Sequence, residues 1–76
     1  MMSKIYKGHQ SLEILTDILS NVDKNGMYPQ HQGDVGYHKE GPNTWVAWDN
    51  SNGCCWVEEF KRKKDAIQYA TEGITQ

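Results

Sequence analysis

The sequence predicts an α+β fold, a three-stranded antiparallel meander with one helix before it and one after it, in the order α-β-β-β-α. Apolar residues between Gln10 and Val22 recur at helical spacing. Aromatic and β-branched residues between Val35 and Phe60 fall into short runs separated by turn formers, and Lys63–Glu72 returns to the helical period. At 76 residues the chain is long enough for one domain spanning 1–76 and too short for two.

The first helix is read over Gln10 to Val22, where Leu12, Leu15, Ile18, Leu19 and Val22 form a stripe flanked by Ile14. Ser11 or Gly8 is the expected cap. Glu13 and Asp17 lie early, where the helix dipole favours negative charge, and Asn21 with Asn25-Gly26 marks the end. Ile5 and Tyr6 offer a short additional N-terminal edge strand before it, too short for periodicity to decide.

Residues Asp23 to Asp34 are rich in Gly, Asn, Asp and Pro and form the main loop, pinned by Met27 and Tyr28. Its length of about twelve residues approaches the range where loops are mobile or functional. Three strands follow: Val35 to Lys39, Thr44 to Asp49, and Cys54 to Phe60. Glu40-Gly41-Pro42-Asn43 turns the chain between the first two, and Asn50-Ser51-Asn52-Gly53 between the second and third, with Asn-Gly as the hairpin signal. The second helix is expected over Lys63 to Glu72, with Ala66, Ile67 and Ala70 facing inward, Tyr69 bordering them and Gly73 as its stop.

Composition narrows the function classes. A domain this small buries only about 60% of the surface its unfolded chain exposes, which leaves little room for a deep substrate cavity. The longest apolar run, Trp45 to Trp48, falls far short of the roughly 20 residues needed to span a bilayer, and no apolar leader follows Met1. No membrane partner is expected, and the chain is read as cytoplasmic. Cys54 and Cys55 are adjacent, so a strand sends them to opposite faces and a disulfide between them would need a strained ring; two free thiols in a reducing compartment are expected.

No catalytic motif is visible: there is no P-loop, no G-x-G-x-x-G and no G-x-S-x-G. Glu58 and Glu59 are neighbours on a strand, hence on opposite faces, and cannot act as a carboxylate pair. His9, His31 and His38 with the two cysteines lack the usual zinc-ligand spacings. The chain is therefore read as a non-enzyme with no metal and no cofactor.

Two features bear on binding. Three Trp sit in two short strands, and with both helices on one side of a three-stranded sheet at least one would lie on the open face. On that ground Trp45 or Trp48, Tyr37 and Tyr28 are the expected anchors for a protein partner. The second feature is Lys61, Arg62, Lys63 and Lys64, four of the eight positive charges of a chain with net charge −2. Cations at a helix start are unfavourable unless an anion occupies the helix end, so this cluster is the alternative site, for an anion or nucleic acid. Homodimerisation through an unpaired edge strand is a further expectation.

The element order, with Lys63-Lys64-Asp65-Ala66 opening the last helix, resembles the double-stranded-RNA-binding domain. That resemblance implies that Lys63 and Lys64 contact phosphates. The chain departs from it where Glu58-Glu59-Phe60 replaces a Gly-rich approach to the helix. In size, and in the run W-V-E-E-F before K-K-D-A-I-Q-Y-A, it is similar to small accessory proteins of bacteriophages and mobile elements, a resemblance that implies a protein which binds and blocks or modulates a host protein or complex.

Overall fold

A computed structural model describes residues 4–72. The elements are β1 (Ile5–Lys7), α1 (Gly8–Leu19), β2 (Val35–Gly41), β3 (Thr44–Asp49), β4 (Trp56–Phe60) and α2 (Lys63–Glu72). The four strands form one mixed sheet in the order β1-β2-β3-β4, with β1 parallel to β2 and the rest antiparallel. The short N-terminal strand is thus present, and the predicted meander is the remainder of the sheet. The Gly73 stop lies outside the described residues.

The parallel pair changes the arrangement of the helices. Parallel neighbours need a crossover between them, and here the crossover is α1 with its following loop. α1 packs on β1 and β2 from one face, whereas α2 packs on β2, β3 and β4. Two separate cores result. One contains Tyr6, Leu15, Ile18, Val46, Trp48 and Cys55, joined by Ile14 and Tyr28. The other contains Val35, Ala47, Ala66 and Ala70, joined by Tyr37, Trp45, Phe60 and Tyr69. The expectation of both helices on one side with an open face opposite is corrected: each face carries one helix.

α1 starts two residues earlier and ends three earlier than its apolar period suggests. It follows β1 with no intervening loop, and Gly8 takes φ +59 at the junction, a conformation that costs other residues about 1–2 kcal/mol. Because the helix begins there, its first turn carries no acidic residue. Ser11 does not cap it: Ser11 is fully buried at the centre of the inward face with Leu15 and Ile18, while Leu12, Leu19 and Val22 are exposed. Asn21 ends the helix by donating from its side chain to the Asp17 carbonyl at 2.7 Å.

β2 runs two residues further than predicted, β3 and α2 have the predicted bounds, and β4 starts two residues later. The turn between β3 and β4 is not a tight Asn-Gly hairpin. Gly53 and Cys55 both take positive φ, +85 and +52, and Asn50 is buried. Asn50 donates from its side-chain amide to the carbonyls of Tyr28 and Gln30 at 3.0 and 2.9 Å, and its backbone carbonyl accepts from Gly33 N at 2.9 Å. One buried amide therefore ties the long loop to the sheet.

Candidate functional site: the edge strand β4

The anchors expected from sequence do not share a surface. Trp48 and Tyr28 belong to the core beneath α1, Trp45 and Tyr37 to the core beneath α2, and the sheet separates the two pairs. Trp48 is 0% exposed. Its indole lies against Gly36, its cross-strand partner, and stacks on Tyr6 with ring centroids 6.2 Å apart. Its Nε1 donates to Ser11 Oγ at 2.9 Å. A side chain so enclosed is a core residue, and its assignment as a docking anchor is corrected.

Tyr28, Tyr37 and Trp45 are half-buried. The backbone N–H of Tyr28 donates to the Gly53 carbonyl at 2.8 Å, so this residue holds the loop against the sheet. Over the Trp45 ring stand two ammonium groups, Lys39 Nζ at 6.0 Å and Lys63 Nζ at 5.6 Å from its centroid. These are favourable cation–π contacts, worth about 0.5–1 kcal/mol each at exposed sites. Lys61, Arg62, Lys63 and Lys64 are all exposed, and Arg62 Nε donates to Asp65 Oδ2 at 3.2 Å.

Ser11 and His38 are hydrogen-bonded, Oγ to Nδ1 at 2.8 Å, as a nucleophile and base would be. Both are buried, however, and the Ser11 oxygen already accepts from Trp48. Ser11 Oγ and His38 Nδ1 share one hydrogen bond, and the buried His38 Nε2 has no partner among the described residues. Burial lowers the affinity of this imidazole for a second proton, against a smaller upward pull from Glu40. The pair stitches α1 to the sheet.

Of the cysteines, Cys54 is exposed and Cys55 buried, and both are free. Burial, aided by Asp49, pushes the Cys55 thiol up to about 11, which keeps it protonated and unreactive at neutral pH. Among the described residues no group of three or more His, Cys, Asp or Glu is placed to hold a metal ion.

β4 combines exposed apolar side chains with a free strand edge. Pairing of Trp48 with Val57 and of Val46 with Glu59 puts Val57 and Glu59 on the α1 face; Trp56, Glu58 and Phe60 fall on the α2 face opposite Asp49, Ala47 and Trp45. β4 lies at the end of the strand order, so its outer backbone edge has no neighbouring strand among the described residues. Trp56 is 50% exposed and Val57 41%. α1 packs over the opposite half of the sheet, on β1 and β2, which explains why Val57 is left uncovered. Sequence reasoning passed over Trp56 and Val57 because it expected exposure on a sheet face. The available signal was position, since the last strand of a meander is an edge strand unless another strand joins it.

No helix among the described residues is long and apolar enough to cross a membrane. Searches of protein families, curated proteins and solved structures found no match to this chain.

Proposed function

We propose that this chain is a non-enzymatic protein-binding module that docks through the edge of β4. The observation that carries the proposal is a half-exposed Trp56 beside a half-exposed Val57, one on each face of a strand with a free edge. Strand edges recruit extended segments through main-chain hydrogen bonds, and neighbouring apolar side chains supply specificity. In keeping with its likeness to small phage accessory proteins, its role is to inhibit or modulate a host protein.

Nucleic-acid binding through Lys61 to Lys64 is served less well. The chain's own Lys39 and Lys63 already stand over the Trp45 ring, and Arg62 is engaged by Asp65. A base would have to displace these contacts before stacking.

The test is a pulldown from bacterial lysate, with and without nuclease, using the tagged chain and a Trp56→Thr/Val57→Thr variant. Both side chains are half outside the core and threonine suits a strand, so the variant should keep the native circular dichroism. A stoichiometric protein retained by the wild type and lost by the variant is the expected result. Equal recovery by both removes β4 as the site, and recovery that vanishes with nuclease and with replacement of Lys61 to Lys64 establishes the nucleic-acid alternative instead.

A further inference from the structure

Resting on β4 as the docking edge, we propose that its occupant is an extended segment of a partner protein with two consecutive basic residues between apolar ones, added antiparallel to β4. The argument starts from Glu58 and Glu59. Toward the sheet their partners are Ala47 and Val46, which carry no charge, and among the described residues neither carboxylate has a cation of its own chain. Both are exposed, one on each face of the strand. A strand added at the free edge would lie about 4.8 Å away and set one side chain directly opposite each glutamate. Adjacent residues of that strand also point to opposite faces, so two consecutive basic residues meet both carboxylates at once.

The neighbouring positions complete the pattern. Trp56 and Phe60 flank Glu58 on the α2 face and Val57 flanks Glu59 on the other, so the partner reads apolar-basic-basic-apolar-apolar against Phe60, Glu59, Glu58, Val57 and Trp56. Lys61 follows Phe60 and reverses the sign of the edge, which opposes sliding of the basic pair beyond the strand.

A second copy of this chain fits badly. Joining two β4 edges antiparallel about a two-fold axis normal to the sheet keeps each face continuous, so positions of equal parity meet. The full five-residue overlap is centred on Glu58 and sets it against Glu58 of the other copy. Centring on Glu59 opposes the two Glu59 carboxylates, and centring on Val57 leaves only residues 56–58 paired. Like charges directly opposite destabilise a sheet, so the acidic pair blocks self-addition while selecting a basic strand.

The experiment measures anisotropy of a labelled ten-residue peptide with the central sequence Val-Lys-Lys-Val-Val on the full chain, beside a Val-Glu-Glu-Val-Val peptide. Exchanging two attractive cross-strand pairs for two repulsive ones should weaken binding about tenfold or more. A Glu58→Lys/Glu59→Lys variant should reverse the preference. Two further lysine peptides, N-methylated at alternate residues in either phase, test the backbone: one phase should bind and the other should not. Equal binding of the lysine and glutamate peptides, no reversal in the variant, or indifference to the phase of methylation overturns the proposal. If no peptide binds while Trp56→Thr/Val57→Thr still loses the captured protein, the basic strand is overturned and the docking edge stands. If that variant loses nothing, the docking edge itself falls.

Discussion

Gly36 and Trp48 show how one missing side chain sets a core. A Cβ at position 36 would lie 2.6 Å from Trp48 Cε2 and Cζ2, closer than packed carbon atoms approach. Tyr6, Gly36 and Trp48 sit in one row across β1, β2 and β3, and the two aromatics meet over the glycine. Gly36→Ala is therefore expected to destabilise the fold by about 1–3 kcal/mol, the usual cost of overpacking, measured as a lower urea midpoint with an unchanged m-value. His38 contributes in a pH-dependent way. Its imidazole is harder to protonate when folded than when unfolded, where the value is near 6.5. Its contribution is therefore fully present above about pH 6.5 and is lost as pH falls below it, because the unfolded chain then binds the extra proton more readily. Urea midpoints between pH 7.5 and pH 5 should fall in the wild type, and fall less in His38→Gln.

Among the elements, β3 and α2 were legible at their true bounds because their signals are local: an aromatic, β-branched run closed by turn formers, and an apolar stripe after a charge cluster. α1 was legible as a helix but not in its ends or its rotation. Ser11 looks like a cap in sequence, yet its hydroxyl bonds to His38 and Trp48, both far along the chain, and nothing near Ser11 signals that. β1 is three residues long and too short to show a period. The connection from β3 to β4 contains Asn52-Gly53, which reads as a hairpin, but the buried Asn50 recruits the long loop and delays the strand to Trp56. At the candidate site the basic cluster was legible and the edge was not, since exposure of Trp56 and Val57 depends on which half of the sheet α1 covers.

At the scale of the molecule, the single parallel strand pair has the widest effect: it sends α1 to one face, leaves α2 to the other, encloses Trp48 and opens β4. The same feature also orders events in time. From Val35 to Phe60 each strand pairs with the next strand along the chain, so the meander forms by closing short loops. β1 can pair with β2 only after α1 and the following loop have been spanned, which costs more chain entropy before any contact repays it. The expected transition state has β2, β3 and β4 assembled and β1 still free. Conservative substitutions at Val46 should accordingly slow folding, while Tyr6→Leu should mainly speed unfolding; φ-values near zero at Val46 or near one at Tyr6 would reverse that order. The strand that decides the architecture would then be the last to join it, and for part of every folding event the chain would expose a second strand edge, on β2, before β1 seals it.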